Sequence, residues 1–272
     1  MTEEAKTQGA VEKLVRYFET QKRYDQPVGL WVGAGVSAAA GIPTLAAIDK
    51  VLRIDLGDSA ATLEGFALLR SYRTEYGPMG LENALSGIFK GPFAPCALHT
   101  SIARLHAAGV VSPLLTTNYD NLLERALADL PAAFDTVTLE QNISLAAHTR
   151  PVLMKLHGDQ RDWKSVVLDE ESYAEFESTY PLLVKMLDLT LRQRPVVFVG
   201  CSMRDPRILD WLTKLPANER QRLHPMRVLQ TESGWNTLPE ETRTLLTGCN
   251  IQPVLVDNHD AIGTVLRRLA DR

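Results

Sequence analysis

Cysteine is scarce in this chain, and no two cysteines stand close together. The 272 residues contain only three of them, Cys96, Cys201 and Cys249. A structural zinc site takes four cysteine or histidine ligands, and the cysteines usually come in C-x-x-C pairs. The sequence therefore excludes a four-cysteine zinc module built from one chain, and we expect all three thiols to be reduced and packed.

Long hydrophobic runs and an excess of one charge are also missing. No apolar stretch approaches the roughly 20 residues that cross a bilayer, and the polar residues 1–6 lack the apolar core of a signal peptide. The 29 lysines and arginines stand against 33 aspartates and glutamates, a net charge of -4, which gives no general attraction to nucleic acid or acidic membranes. We predict a cytoplasmic protein without a membrane partner or direct nucleic-acid binding.

Short apolar runs alternate with amphipathic helical patterns along the chain. The predicted strands lie near residues 28–32, 113–116, 134–139, 152–156, 195–199, 226–230 and 251–256. This alternation predicts an α/β fold, namely a Rossmann-type, doubly wound and largely parallel sheet with helices on both faces. We predict one domain over residues 1–272 with a small helical insertion at about 58–95, where Gly77-Pro78 and Gly91-Pro92 are breakers.

Residues 28–43 combine a buried strand, a glycine-rich turn and a resumed helical pattern. This order is the front half of a dinucleotide-binding unit, in which glycines let the backbone approach a pyrophosphate and the helix N-terminus offers N–H groups. The usual spacing is G-x-G-x-x-G, whereas here Gly33 and Gly35 are followed by Gly41. A purely structural glycine turn is therefore the alternative interpretation.

Four polar or glycine-rich clusters each follow a predicted strand directly. They are Gly33-Ala34-Gly35 with Ser37, Thr117-Asn118 with Asp120, His157-Gly158, and Gly200 with Ser202. In a parallel sheet the carboxyl ends of the strands share one edge, and ligands bind outside that edge. The four clusters are therefore predicted to meet at one site.

Each cluster also has a structural interpretation. His157 can accept a proton from a sugar hydroxyl near neutral pH, but a histidine at a strand end is often only a hydrogen-bonded structural residue. Asn118 suits a turn because asparagine tolerates the left-handed region, and Asp120 suits the N-cap of the next helix. Gly200 and Ser202 form either a second phosphate cradle or a tight turn.

Together and in this order, the four segments resemble the signatures of the sirtuin (Sir2) superfamily. The segment from Gly33 to Ser37 with Gly41-Ile42-Pro43 is similar to the first signature, Thr117-Asn118-Tyr119-Asp120 to T-Q-N-I-D, His157-Gly158 to H-G, and Gly200-Cys201-Ser202 to G-T-S. The resemblance covers roughly residues 28–205. It implies a Rossmann-type domain that binds NAD.

The resemblance also implies a role for each matched residue. Gly33, Ala34 and Ser202 would hold the NAD pyrophosphate, and Gly35, Thr117 and Gly200 are further predicted cofactor-binding residues. Ser37, Asn118 and Asp120 would line the nicotinamide pocket, and His157 would be the general base for a ribose hydroxyl. The predicted catalytic residues are therefore His157, Asn118 and Asp120, with no metal. Separately, Glu232 after a later strand could bind the adenosine ribose hydroxyl.

The chain departs from the deacetylating sirtuins at three places. Thr44-Leu45-Ala46 stands where they have D-F-R, Thr117 replaces their glutamine, and their zinc module is missing. The pattern is more similar to the SIR2-like domains of bacterial anti-phage systems, which hydrolyse NAD. The resemblance thus implies an NAD⁺ glycohydrolase that releases nicotinamide and ADP-ribose.

A free NAD hydrolase would be toxic to its own cell, so we expect its activity to be gated by homo-oligomerisation or by a partner protein. The helical region at 58–90 and the N-terminal helix are the candidate surfaces. Two other functions remain open from the sequence. They are a zinc-free NAD-dependent protein deacylase and a non-catalytic NAD or ADP-ribose sensor.

Overall fold

The computed structural model describes residues 2–24, 27–60, 62–131, 134–141, 143, 152–167 and 170–272. Its strands are β1 (Val28–Val32), β2 (Val111–Thr116), β3 (Asp135–Thr138), β4 (Val152–Lys155), β5 (Val196–Val199), β6 (Met226–Thr231) and β7 (Ile251–Val256). Its α-helices are α1 (Glu3–Arg23), α2 (Ala34–Ala38), α3 (Leu45–Leu56), α4 (Gly65–Ile88), α5 (Ala97–Ala107), α6 (Leu122–Ala128), α7 (Glu170–Thr179), α8 (Pro181–Gln193), α9 (Pro206–Lys214), α10 (Ala217–Arg220), α11 (Glu232–Asn236), α12 (Glu240–Gly248) and α13 (His259–Ala270).

The seven strands form one sheet in the order β3-β4-β2-β1-β5-β6-β7. Every pairing is parallel. The chain builds β2, β3 and β4 on one side of β1 and then returns past β1 to build β5, β6 and β7 on the other. A crevice opens at the carboxyl ends of the strands where the order reverses in this way. The predicted doubly wound, parallel sheet is confirmed.

Helices cover both faces of the sheet, which explains why its strands are apolar throughout. All five residues of β1 are buried. Leu30 and Val32 pack in a core with α1, α5, α6 and α13, whereas Trp31 points to the other face and packs in a core with α7, α8, α9 and α12. This arrangement follows from the strand geometry, in which successive side chains point to opposite faces.

The helices α3 and α4 share a third apolar core, built around Leu52, Leu68 and Leu69. At Gly77, just before Pro78, φ is 72° and the backbone of α4 leaves the helical region, so the helix is kinked there. The predicted breaker is confirmed. Tyr119 and Trp163 pack against this core from the carboxyl edge of the sheet, so the helical region is in contact with the site loops. Its description as an insertion stays a prediction.

The strand β7 forms one edge of the sheet and carries a proline in its middle. Pro253 stands in register with Val228 of β6. Proline has no N–H to donate to a ladder, and it is therefore tolerated in sheets mainly on edge strands.

The cysteines are free thiols, as expected. Cys201 and Cys249 are buried and Cys96 is partly buried. Burial raises the pKa of Cys249 to about 11. Among the residues that the structure describes, no three histidine, cysteine or acidic side chains are grouped to hold a metal ion. In the same residues, no helix combines the length and the apolar character needed to cross a bilayer.

Candidate active site

One row of paired residues across four strands brings the predicted clusters together. Val32 of β1 stands in register with Thr116 of β2 and with Val199 of β5, and Thr116 stands in register with Lys155 of β4. Each of the four clusters begins one or two residues beyond this row, at the carboxyl edge. The predicted convergence of the clusters at this edge is therefore what the strand register produces.

The turns after β1 and β5 touch each other backbone to backbone. The Gly35 N–H donates to the Gly200 carbonyl at 2.9 Å. A Cβ on Gly33 would lie 2.6 Å from the Gly200 oxygen, and a Cβ on Gly200, whose φ is +67°, would lie 2.7 Å from the Val36 nitrogen. These glycines are thus needed for the two turns to approach, and the Gly35 amide already has a partner inside the protein.

Ala34 and Ser202 lie exposed on these two turns. The Ser202 hydroxyl accepts a hydrogen bond from the Arg204 backbone N–H at 3.3 Å. The Arg204 guanidinium donates to the Thr237 carbonyl at 2.8 Å. Sequence reasoning missed Arg204 because a single arginine in a loop carries no pattern, yet it places a cation two residues from a predicted pyrophosphate contact.

Asn118 links the end of β2 to the turn after β1. Its Nδ2 donates to the Gly33 carbonyl at 3.2 Å and to the Ser37 hydroxyl at 2.9 Å. Its backbone N–H donates to the Thr116 hydroxyl at 3.1 Å. Two predicted site residues, Ser37 and Asn118, are therefore in direct contact, although 80 residues separate them in the chain.

The orientation of the Asn118 amide follows from its partners. The Gly33 carbonyl can only accept, so the atom that faces it must be the NH₂ group and the oxygen must face the other way. Within the described part of the chain, the buried Oδ1 has no hydrogen-bond partner. A buried acceptor without a partner costs about 1–3 kcal/mol, so this position calls for a donor from a ligand or a water.

Asp120 and Thr117 lie on either side of the Asn118–Tyr119 pair. The Asp120 Oδ1 accepts from the Leu122 N–H at 3.0 Å, at the start of α6. The N-cap of α6 is Asn121, so the prediction that Asp120 is the N-cap is wrong by one residue. The Asp120 carboxylate still binds the first N–H of the helix, and one of its oxygens is committed to that bond. Thr117 is half-buried at the end of β2.

His99 on α5 interacts electrostatically with Asp120, and no sequence motif marks it. Its ring is fully buried, and Nδ1 accepts from the Cys96 N–H at 3.2 Å. Burial lowers the pKa of His99 to about 4, against the opposing effect of the Asp120 charge. The ring is therefore neutral at physiological pH.

His157 follows β4 and is covered by α7. Its ring is 4% exposed. Its Nδ1 lies 3.3 Å from the Tyr173 hydroxyl, and the Tyr173 and Phe176 rings meet it edge to face at centroid distances of 5.2 and 6.3 Å. Together with Trp31 and Trp211, His157 lines a pocket whose other walls are mainly leucine, valine, isoleucine and phenylalanine side chains.

Only glycine fits at the position after His157, for a steric reason. Gly158 has a φ of +86°, and a Cβ there would lie 2.2 Å from the Ser165 carbonyl oxygen. The loop that follows β4 therefore folds back directly over Gly158. The predicted His157-Gly158 pair thus combines a functional candidate with a residue that the turn requires.

Glu232 stands apart from this group. It is the first residue of α11, after β6, and its half-exposed carboxylate accepts from the Lys6 ammonium at 2.9 Å. Lys6 also binds Asp257 at 2.6 Å. The described contacts tie Glu232 to α1 and β7 rather than to Asn118 or His157, and its assignment to a ribose hydroxyl stays a prediction.

A parallel, doubly wound sheet with glycine turns and polar side chains at its carboxyl edge defines an α/β protein of the nucleotide-binding type. The family model of the SIR2-like domain matches residues 112–254. That is more than half of the chain, and the chain belongs to this family.

Curated relatives include the defense-associated sirtuin 2 of Bacillus subtilis, which is 26% identical over 79% of this chain and 21% of its own length. The NAD(+) hydrolase ThsA of Enterococcus faecium is 26% identical over 75% of this chain and 44% of its own length. The ThsA of Bacillus cereus is 23% identical over 95% of this chain and 57% of its own length. The chain thus spans between a fifth and just over half of these relatives.

A solved structure described as a Sir2 homolog–NAD complex has the same fold. It superposes with a TM-score of 0.54 at 16% identity and covers 90% of this chain and 88% of its own. At this identity the likeness establishes the fold alone.

Proposed function

We propose that this chain hydrolyses NAD⁺ to nicotinamide and ADP-ribose. The observation that carries the proposal is the pair of buried polar groups at one sheet edge. Asn118 and His157 each stand two residues beyond the paired residues Thr116 and Lys155 of neighbouring strands, and the Asn118 Oδ1 lacks a partner among the described residues. Relatives that are named as NAD(+) hydrolases support the same conclusion.

In the proposed reaction the bond between the ribose C1′ and the pyridinium nitrogen breaks, and its electron pair stays on the nitrogen of nicotinamide. The cation that develops on the ribose is stabilised by preorganised dipoles at the sheet edge. The Asn118 Oδ1 accepts a hydrogen bond from the attacking water. The water oxygen then bonds to C1′, and the proton it releases is taken up by His157 as general base.

The other predicted residues would bind the two halves of NAD⁺. Gly33, Ala34, Gly35, Gly200 and Ser202 would receive the pyrophosphate. Because the Gly35 N–H already donates to Gly200, Gly35 would contribute close backbone approach rather than a hydrogen bond. In the same proposal, Ser37, Thr117 and Asp120 surround the nicotinamide, Glu232 binds the adenosine ribose, and Arg204 adds a cation near the phosphates.

The test is NAD⁺ consumption by purified protein, with the products resolved by chromatography. Wild type should release nicotinamide and ADP-ribose in equal amounts. His157→Ala and Asn118→Ala should each lower turnover by about 100-fold or more, in the range that general acid–base groups contribute. His259→Ala, at the exposed start of α13, is the matched histidine control and should turn over like wild type.

Full activity of His157→Ala would contradict the proposed role of the base. Incubation of NAD⁺ with an acetylated peptide separates the deacylase alternative, because only deacylation forms O-acetyl-ADP-ribose. Calorimetric binding of NAD⁺ by wild type without any product would instead indicate the sensor.

We also propose that the chain is a gated, cytoplasmic effector of bacterial anti-phage defence that acts by NAD depletion. The name of the Bacillus subtilis relative supports the defence role. The proposed gating surface lies on α3 and α4, which carry large solvent-exposed apolar side chains. Ile54 is 79% exposed and Met79 is 73% exposed, as is typical of surfaces that bind a partner. Light scattering beside specific activity at rising protein concentration tests a homo-oligomer, and a fully active monomer that needs no partner would contradict the gating.

A further inference from the structure

Lys155, the last residue of β4, is a fully buried cation at the centre of a polar cluster. Its ammonium donates to the Asp120 carbonyl at 2.7 Å and to the Tyr119 carbonyl at 3.2 Å. It also donates to Glu124 and Asp159, each at 2.9 Å. The side chain is 0% exposed, and its three protons serve four acceptors.

The cluster is closed on the solvent side by Arg161. The guanidinium donates hydrogen bonds to both oxygens of Asp159, at 2.9 and 2.6 Å, and to Glu124 at 3.5 Å. Two cations thus balance two carboxylates. Burial would raise the pKa of Asp159, but the hydrogen bonds of Arg161 and the charge of Lys155 outweigh burial and lower it to about 2.

Packing alone does not explain a lysine at this position. The four residues of β4 are all buried, and the preceding three are Val, Leu and Met. Burying an ammonium costs several kcal/mol, and an apolar side chain of similar volume often gives equal or greater stability. What a leucine or methionine at 155 could not supply is the hydrogen bonds to the Tyr119 and Asp120 carbonyls.

Those two carbonyls belong to the loop that carries Asn118. On the β1 side, Asn118 itself holds this loop through Gly33 and Ser37. On the β4 side, Lys155 holds it, and the Gln160 N–H also donates to the Tyr119 carbonyl at 2.9 Å. Lys155 stands two residues before His157 in the chain, and its side chain binds the two residues that follow Asn118. It therefore links the segment that carries His157 to the loop that carries Asn118.

We propose that Lys155 is a positioning residue that sets the separation between Asn118 and His157. The inference rests on the proposed hydrolysis. A displacement of about 1 Å between reacting groups can cost about 100-fold in rate. The Lys155 ammonium is fully enclosed by protein acceptors, so it does not bind NAD⁺ itself. Its loss should therefore lower kcat far more than it changes KM.

The test compares Lys155→Met with wild type in the NAD⁺ assay. We expect kcat to fall by about tenfold or more while KM stays within about threefold. Val265→Ala is the control for stability, because Val265 is fully buried in α13, a helix that packs mainly on α1 and α5, and a truncation there destabilises the fold. All variants are assayed at a temperature at which each remains folded.

Hydrogen exchange of the amides in 117–123 supplies a second readout. Lys155→Met should speed their exchange, and Val265→Ala should not do so selectively. If Lys155→Met fails to fold, Asp159→Asn keeps the volume of the cluster and removes one charge, and its kcat should fall by about threefold at constant KM.

The outcomes separate the two proposals. If wild type is active and Lys155→Met has the same kcat, the positioning role alone is overturned. If Lys155→Met does not fold, an unchanged kcat in the folded Asp159→Asn has the same consequence. A loss in Lys155→Met that Val265→Ala reproduces at the same stability overturns it as well. A wild type that binds NAD⁺ by calorimetry yet forms no nicotinamide, also at concentrations at which light scattering shows an oligomer, overturns the hydrolysis and the positioning role together.

Discussion

Asn118 is held rigidly although one of its polar atoms has no partner among the residues that the structure describes. Both described contacts of its Nδ2 are to the turn after β1, at Gly33 and Ser37. The amide plane is therefore fixed before any ligand arrives, and the direction of Oδ1 is fixed with it. Preorganisation of this kind avoids the cost of orienting the group during the reaction.

Removal of one of these anchors should weaken both stability and turnover. Ser37→Ala deletes an acceptor of Asn118 and should lower the free energy of unfolding by about 1 kcal/mol. The less restrained amide should lower kcat/KM by about tenfold. Urea unfolding and initial rates measure the two effects. Ser178→Ala, on the exposed face of α7, is the control, and a Ser37→Ala that matches this control in both assays would contradict the anchoring role.

The turns after β1 and β5 act as one structural element. They belong to strands on opposite sides of the chain reversal, yet their backbones touch without any side chain between them. The glycines are needed for this contact whatever they do for a ligand. A substitution at one turn therefore displaces the other.

Gly200→Ala should destabilise the protein more than Gly109→Ala does. Both glycines have positive φ, +67° and +70°, which costs an alanine about 1–2 kcal/mol. Only at Gly200 would the new Cβ also meet backbone, 2.7 Å from the Val36 nitrogen, whereas nothing lies within 4 Å at Gly109. Chemical denaturation measures the free energy of unfolding of each variant, and the difference between them is the cost of the steric clash at Gly200. Equal losses in the two variants would show that the turns can move apart without cost.

At the scale of the whole molecule, much of the fold could be predicted because each strand and turn is determined by a short segment of sequence. The seven strands are short apolar runs, and the clusters that follow them are recognisable as strand ends. The end of α5 is another local signal, since the helix ends at Ala107 and Gly109 follows with a φ of +70°, the position at which glycine commonly ends a helix.

The sequence predicted that the clusters meet at one edge, but it could not indicate which side chains form hydrogen bonds across the sheet. The Asn118–Ser37 contact depends on strand order, and strand order is set by the packing of the complete chain. Lys155 lies in an apolar run, and its acceptors on Tyr119, Asp120 and Glu124 come within hydrogen-bonding distance only when β2 and α6 are in place. His99 lies on an amphipathic helix, where a single histidine carries no signal.

His99 makes the stability of the whole protein depend on pH. In the unfolded chain its ring titrates near 6.5, and in the fold burial lowers its pKa to about 4. Below pH 6.5 the unfolded chain therefore binds a proton that the folded chain does not. The stability is fully present above pH 6.5 and is lost as the pH falls toward 4, by up to about 3 kcal/mol.

His99→Gln should flatten this part of the profile, because glutamine keeps an acceptor for Cys96 and does not titrate. Denaturant unfolding between pH 4 and 7 measures the slope for each variant. Val265→Ala should lower the whole curve and leave its slope as in wild type. A His99→Gln curve that runs parallel to wild type would assign the acid sensitivity to other groups.

Pro253 has a consequence for how copies of this chain could assemble. A strand added beside β7 would need an unbroken series of N–H donors along that edge, and Pro253 interrupts the series. Extension of the sheet from one molecule into the next is therefore blocked at this end. An assembly of the proposed kind would therefore not be built by strand addition at β7, and its contacts would have to lie elsewhere on the molecule.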